Sequence, residues 1–155
     1  MSSWLEPELP EDLGEVLRHL EAMYPQEGCG VLLWHEQSRA WRVRPITNAY
    51  DRYHALDPVR FPRTSCTAYF FEPREWLLLH QEADAHGERI ACVFHSHTNG
   101  IADFSAEDRA QAAPGGLPLL PGVSYLVVAV EGGRATQARF YRWQNEDFRG
   151  RLVPL

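Results

Sequence analysis

Two histidines separated by one residue, His95 and His97, are the first feature of the chain that could do chemistry. They end an apolar run over residues 90–94 that is typical of a buried strand. Side chains two residues apart on a strand point to the same side, so both imidazoles can reach one point. Imidazole nitrogen is a good zinc ligand. Two strand histidines can also simply pack or form hydrogen bonds, so a third ligand is needed before the pattern indicates a metal site.

Asp108 is the candidate for that third ligand. It ends the pattern S-x-x-D that begins at Ser105, and this pattern is typical of a helix start capped by the Ser hydroxyl. Seven residues separate His97 from Ser105, which is enough chain to fold back onto the histidines. Asp103 is nearer to His97 and is a rival ligand. Ser105 suits the cap position whether or not it also meets a substrate.

Two His and one Asp leave the fourth position of a tetrahedral zinc for water, as in catalytic zinc sites. Zinc lowers the pKa of such a water toward neutrality, which provides a nucleophile at pH 7. Hydrolysis also needs a carboxylate that moves protons and a donor for the developing oxyanion. The pattern therefore predicts one catalytic zinc per chain.

Composition limits the other classes of function. The chain has 155 residues, of which 45% are hydrophobic and 23% charged, as expected for one globular domain with its own core. We expect a single domain over residues 1–155, with residues 1–10 as a loose lead-in. The net charge of -6 and the lack of a dense basic run argue against binding to nucleic acid.

The three cysteines, Cys29, Cys66 and Cys92, favour a reduced, cytoplasmic protein. An odd number without a C-x-x-C pair is a poor disulfide framework. Residues 1–10 lack the apolar stretch of a signal peptide, and no stretch is long enough to span a bilayer, so no membrane partner is expected. Cys29 is interpreted as a packed small residue.

Hydrophobic periodicity and turn residues predict the elements that position these side chains. The predicted helices cover residues 13–24, 73–86 and 106–113, and the predicted strands cover residues 31–34, 40–46, 67–71, 89–97, 123–130, 135–142 and 148–153. Residues 48–65 show little periodicity and are predicted to form a long surface loop with one short helical turn at most. This order predicts an α+β fold, in which helices flank a mixed, mostly antiparallel, curved sheet.

The spacing H-x-H, seven residues, S-x-x-D resembles the signature of the JAMM (MPN+, Mov34/MPN/PAD-1) zinc metalloproteases. The upstream residues 27–30 are similar to the E-x-C-G variant of small bacterial and archaeal members. The resemblance extends in element order from about residue 11 to about residue 145. It implies an MPN fold, which is like that of cytidine deaminases, with zinc held by His95, His97 and Asp108.

The resemblance also implies roles for three further residues. Glu27 would act as general acid and base on the zinc water, and Ser105 would donate a hydrogen bond to the oxyanion of the tetrahedral intermediate. Ser96, between the two histidines, would support the site. Apart from the resemblance, Glu27 could equally be an exposed carboxylate at the start of a strand.

Two residues depart from the pattern of the JAMM family. Thr98 follows the second His and Phe104 precedes the motif Ser, and family members commonly have Pro at both places. Neither change alters a ligand. Both bear on the shape of the loop and, through it, on the substrate.

The implied activity is that of a peptidase or isopeptidase acting on the C-terminal tail of a ubiquitin-like or sulfur-carrier protein. Such a tail is extended and small, so it can enter a narrow cleft beside a sheet edge. Two alternatives stay open, namely a scaffold or binding module without turnover and a zinc amidohydrolase of a small amide. The sequence leaves the oligomeric state open, a homodimer included.

Overall fold

The computed structural model describes residues 8–155, and most of the predicted lead-in over residues 1–10 lies outside this range. The helices are α1 (Gly14–Met23), α2 (Tyr50–Leu56), α3 (Pro73–His86) and α4 (Ala106–Ala112). The strands are β1 (Cys29–His35), β2 (Ala40–Ile46), β3 (Glu88–His97), β4 (Ser124–Glu131), β5 (Arg134–Gln144) and β6 (Asp147–Val153). A short 3₁₀ turn, Pro114–Gly116, follows α4.

The six strands form one sheet in the order β2-β1-β3-β4-β5-β6. Only the central pair β3–β4 is parallel, and the other neighbours are antiparallel. Four helices accompany this mostly antiparallel sheet, which confirms the predicted α+β fold class. In the register of β1 with β3, Cys29 lies opposite His95, so the residues just before β1 reach the end of β3.

Helices cover both faces of the sheet. On one face, Val16 and Leu20 of α1 pack with Leu32 and Phe94. On the other face, α3 contributes Leu79 and Ala83 to a cluster that includes Val31, Val93 and Phe104. Strands β1, β3 and β4 are buried almost throughout because both of their faces are covered. His95 and His97 continue the period of Val93 and so face the side of α3 and α4.

Apolar spacing in the predicted helices 13–24 and 73–86 places Tyr24 and His80 on their buried faces, but both residues are exposed in the structure. Tyr24 lies beyond the end of α1 at Met23 and is 38% exposed. His80 follows the buried Leu79 by one residue, which turns it by about 100° around the helix axis and away from the core.

Residues 48–71 differ most from the prediction. The predicted surface loop contains the two-turn helix α2, and the predicted strand over residues 67–71 is absent, since only Phe71 forms a bridge, with Asn48. The segment has a small core of its own, in which Tyr50, Phe61 and Ala68 are buried. These apolar contacts come from residues far apart in sequence, so no local periodicity indicated them.

No helix within residues 8–155 is long and apolar enough to cross a membrane.

Candidate metal centre

His95 and His97 lie at the end of β3, between β1 and the parallel strand β4. Both side chains are buried, with 0% and 7% of the residue surface exposed. Their Nε2 atoms are 3.1 Å apart. The two imidazoles thus converge on one point, as the H-x-H spacing predicted.

Asp108 reaches the same point from the first turn of α4. Ser105 is the N-cap of this helix, and its Oγ accepts the backbone N–H of Asp108 at 3.1 Å. In return, Asp108 Oδ2 accepts the backbone N–H of Ser105 at 3.0 Å, which completes a capping box. This pair of hydrogen bonds fixes the carboxylate so that Oδ1 lies 3.2 Å from His95 Nε2 and Oδ2 lies 3.2 Å from His97 Nε2.

The three side chains form a group that could hold a metal ion. The two Nε2 atoms are 3.1 Å apart, and each lies 3.2 Å from a different oxygen of the Asp108 carboxylate, separations close to the edge of a coordination tetrahedron. Metal–ligand bonds of about 2.0 Å give such a tetrahedron an edge of about 3.3 Å. Nitrogen and carboxylate oxygen are also the donors that zinc accepts. The residues therefore fit the metal that the sequence predicted.

The orientation of His97 suits a ligand. Its Nδ1 lies 2.9 Å from the carbonyl oxygen of Ile101, which can only accept a hydrogen bond. The neutral ring therefore carries its hydrogen on Nδ1 and directs the lone pair of Nε2 toward His95 and Asp108. Metal-binding histidines are commonly oriented by such a hydrogen bond from the other ring nitrogen.

The charges of the group attract a cation. Burial lowers the pKa of His95. Burial acts in the same direction on His97, but the hydrogen bond and charge of Asp108 outweigh it and raise the pKa to about 9. Burial raises the pKa of Asp108, yet the two histidines together hold it well below its usual range. The carboxylate that draws a proton to His97 would equally draw a metal ion.

Glu27 lies two residues before the start of β1 and is buried, with 5% of its surface exposed. The alternative of an exposed carboxylate at a strand start is therefore wrong. Glu27 lines the same cleft as His97, Ser105 and Asp108. Burial raises the pKa of Glu27 to about 8, while the nearby His97 lowers it by a smaller amount. A carboxyl group with this pKa can both take up and release a proton near neutral pH.

Ser96 holds the peptide that follows Glu27. Its Oγ accepts the backbone N–H of Gly28 at 2.8 Å, and its own N–H donates to Gly28 O at 3.0 Å. A Cβ at Gly28 would lie 2.8 Å from Leu20 Cδ2, so a side chain there would have to displace that methyl group. Ser96 therefore ties the strand of the two histidines to the residue next to Glu27.

The group opens into a cleft of about 200 Å³. Its lining includes Arg63 and Thr67 from residues 48–71, and Asn99, Asp103 and Glu107 from the loop after β3 and the start of α4. Arg63 and Glu107 form an ion pair at 2.9 Å.

Asp103 does not join the three converging side chains. Its side chain is 54% exposed, and its Oδ1 lies 3.3 Å from His97 Nδ1, the ring nitrogen that faces away from Asp108. The geometry thus favours Asp108 over its rival as the third ligand. Cys29 is buried and its Sγ donates to Ile46 O at 3.4 Å, which agrees with a packed small residue.

Both departures from the family pattern have structural roles. Thr98 Oγ1 donates to Cys66 O at 2.7 Å and so ties the loop to the segment of residues 48–71. Phe104 is buried among Tyr125, Tyr141 and Phe148 and anchors the loop in the core just before Ser105.

Sequence reasoning missed three residues beside the site, namely Asn48, Arg63 and Tyr69. Tyr69 stacks on the ring of His95, and Asn48 Nδ2 donates to Glu27 O at 2.9 Å. Arg63 lines the cleft. All three belong to residues 48–71, whose path over the sheet depends on contacts distant in sequence, so no spacing could indicate them.

The sequence matches the family described as prokaryotic homologs of the JAB domain (Prok-JAB) over residues 10–144. This match spans most of the chain, and the protein belongs to that family. It confirms the family predicted from the H-x-H and S-x-x-D spacing. No curated protein sequence matches the chain.

Two solution structures share the fold. A protein from Desulfitobacterium hafniense is 23% identical, with a TM-score of 0.64 over 90% of this chain and 84% of that chain. A protein from Salinibacter ruber is 22% identical, with a TM-score of 0.55 over 94% of this chain and 88% of that chain. At this level of identity the likeness concerns the fold alone.

Proposed function

We propose that this protein is a zinc peptidase or isopeptidase that hydrolyses the C-terminal tail linkage of a ubiquitin-like or sulfur-carrier protein. One observation carries the proposal: His95, His97 and Asp108 converge beside a cleft that is lined by His97, Asp108 and Glu27, a buried carboxyl group with a raised pKa. Membership of the Prok-JAB family supports the same chemistry.

In this proposal His95, His97 and Asp108 hold one zinc ion per chain. Bound zinc would supply Lewis acidity and lower the pKa of a water molecule toward neutrality. The donor set of two nitrogens and one carboxylate oxygen leaves a fourth position open, which separates catalytic sites from closed structural ones.

Glu27 and Ser105 serve the hydrolysis itself. Glu27 takes a proton from the attacking water as the C–O bond forms, and it delivers that proton to the leaving amine as the C–N bond breaks. Ser105 Oγ accepts from Asp108 N–H and still has its own hydrogen to donate. That hydrogen stabilises the oxyanion on the attacked carbonyl.

The size of the cleft favours a slender substrate. Pockets that enclose a small organic ligand have volumes of roughly 300–1,000 Å³, whereas this cleft measures about 200 Å³. A cleft of this size can admit an extended tail with small residues while the rest of the substrate protein stays outside it. A zinc amidohydrolase of a small amide stays the alternative.

We also propose a cytoplasmic location. Cys29, Cys66 and Cys92 are all unpaired in the structure, as expected in a reducing compartment.

Metal content provides the first test. Elemental analysis of the purified, zinc-reconstituted protein should find about one zinc per chain, and His97→Ala and Asp108→Ala should bind little. His80→Ala, which changes an exposed histidine of α3, is the matched control and should keep the metal. A wild-type protein that binds no zinc would contradict the peptidase and favour a scaffold.

Cleavage provides the second test. Ubiquitin-like and sulfur-carrier proteins with extended C-terminal tails are incubated with the zinc-loaded protein, and truncation is followed by mass spectrometry. Truncation by wild type but not by Glu27→Gln is the expected result. Full zinc occupancy without truncation of any tail would indicate a metal-binding scaffold instead of an enzyme.

A further inference from the structure

The two histidines of the candidate metal centre are held in different ways. His97 Nδ1 donates to Ile101 O at 2.9 Å. His95 is fully buried, and its Nδ1 has no hydrogen-bond partner within residues 8–155. A histidine ligand usually depends on its second nitrogen for orientation, so some other contact has to orient the ring of His95.

The ring of Tyr69 supplies that contact. It lies 4.4 Å from the ring of His95 between centroids, at an interplanar angle of 28°, which is a stacked arrangement. Tyr69 also contacts Phe71, with ring centroids 5.4 Å apart. Phe71 in turn stacks on Trp76 of α3, with ring centroids 5.2 Å apart. A continuous row of rings therefore connects His95 to a helix packed on the sheet.

The backbone of Tyr69 is held as firmly as its ring. Asn48 Nδ2 donates to Ala68 O, and Asn48 Oδ1 accepts the N–H of Phe70, each at 3.1 Å. One amide thus binds the residues on both sides of Tyr69. The same Nδ2 also donates to Glu27 O at 2.9 Å, so a single side chain sets Tyr69 and Glu27 relative to each other.

We infer that Tyr69 is a positioning residue for the metal centre, whose ring holds His95 in the orientation that a metal ligand needs. Stacking takes the place of the hydrogen bond that orients His97. The inference rests on the metal site of the proposed function but does not depend on the substrate or on turnover. It assigns the role to the ring of Tyr69 and not to its hydroxyl group.

Zinc affinity tests the inference without an activity assay. The dissociation constant is measured at pH 7 by competition with a chromogenic chelator for wild type, Tyr69→Phe and Tyr69→Leu. Tyr69→Phe keeps the ring and should bind as wild type does. Tyr69→Leu should bind about 10–100-fold more weakly, the loss typical when the group that orients a histidine ligand is removed.

Tyr53→Leu is the matched control. Tyr53 is a half-buried aromatic residue that packs on Phe61 and Phe70 in the same segment, and it stacks on no metal ligand. The Tyr53→Leu variant should bind zinc with an affinity near the wild-type value. Equal losses in Tyr53→Leu and Tyr69→Leu would assign the effect to folding of the segment and overturn the inference.

Proton NMR keeps the inference testable if Tyr69→Leu fails to fold. In wild type and in Tyr69→Phe, the ring current should shift the His95 ring protons upfield of those of His97, with assignment from His95→Gln. Absence of that shift would overturn the inference, as would a Tyr69→Phe variant with strongly weakened zinc binding.

The outcomes for the inference and for the proposed function are separable. Weak zinc binding by Tyr69→Leu, in a protein that cleaves no tail, would support the inference and contradict the peptidase. Unchanged zinc binding by Tyr69→Leu, in a protein that cleaves tails, would contradict the inference and support the peptidase. Failure of wild type to bind zinc would overturn both.

Discussion

Glu27 stands apart from the other carboxylates of the cleft because it is buried beside the metal group and makes no contribution to the converging set of ligands. Burial raises its pKa to about 8, whereas Asp108 in the same cleft has a pKa well below its usual range. Two carboxyl groups with pKa values moved in opposite directions suit two different tasks. In the proposed function, Asp108 would stay ionised as a metal ligand and Glu27 would exchange protons.

Glu27→Gln should therefore keep zinc and lose turnover. The amide cannot accept the proton of the attacking water, so kcat should fall by about 10²–10⁴-fold. Zinc content by elemental analysis and initial rates on the cleaved tail substrate are the two measurements. Glu15→Gln, a change on α1 across the sheet, serves as the control. A near-normal rate in Glu27→Gln would show that another group moves the proton.

Ser105 caps α4, and in the proposed function it also donates to the oxyanion, so two measurements on one variant separate the two roles. Ser105→Ala should slow the chemical step by roughly 10²–10³-fold through loss of an oxyanion donor. It should also lower the free energy of unfolding by about 1 kcal/mol through loss of the helix cap. Ser105→Thr keeps the hydroxyl and should show neither effect in full. A loss of stability without a loss of rate would leave Ser105 as a cap only.

At the scale of the element, the loop between β3 and α4 sets the position of Asp108. The loop is tied at one end by Thr98 to Cys66 O and at the other by the packing of Phe104. Tyr141 Oη also donates to Ala102 O at 2.8 Å within the loop. These contacts hold the loop at Thr98 and Phe104, the two positions that depart from the family pattern.

Phe104→Ala should therefore damage both folding and metal binding. Loss of a buried phenylalanine costs about 3–5 kcal/mol of unfolding free energy, and the loop that carries Ser105 and Asp108 loses its anchor. Urea unfolding and a zinc titration measure the two effects. Ile101→Ala changes a residue of the same loop that is 55% exposed, so it should alter neither the free energy of unfolding nor zinc binding strongly. Equal behaviour of the two variants would contradict the anchoring role.

At the scale of the whole molecule, the sheet brings together groups that are far apart in the chain. β3 carries the histidines at its carboxyl end, and antiparallel β1 begins at that same end, so Glu27 arrives beside them. Residues 48–71 contact the site through two side chains, since Asn48 Nδ2 donates to Glu27 O and the ring of Tyr69 stacks on His95. The site thus exists only in the folded chain.

Zinc should accordingly stabilise the whole fold. A ligand that binds only the native state adds about 4 kcal/mol when its concentration is 1,000-fold above Kd, which raises Tm by on the order of 10 °C in a chain of this size. Thermal unfolding with zinc and with excess chelator measures the difference. Asp108→Ala should melt at the same temperature in both conditions. A wild-type Tm that does not respond to the chelator would argue that the site is not loaded.

Local patterns in the sequence predicted the candidate metal ligands and most of the sheet. His95, His97, Ser105 and Asp108 lie close together in the chain, and strand period and helix capping are local rules, so their meeting could be predicted from spacing. Alternation of apolar residues likewise predicted six of the strands to within a few residues. Glu27 was assigned from the resemblance of residues 27–30 to a family motif and not from geometry.

The surroundings of His95, His97 and Asp108 depend on contacts between segments that meet only in the folded chain. The burial of Glu27, the stacking of Tyr69 on His95 and the hydrogen bonds of Asn48 all join segments that are distant in sequence. Residues 67–71 look like a strand because their aromatic and β-branched side chains favour extended backbone. In the fold their partners are aromatic rings and one amide side chain instead of a neighbouring strand, and those partners become available only when the chain has closed over the sheet.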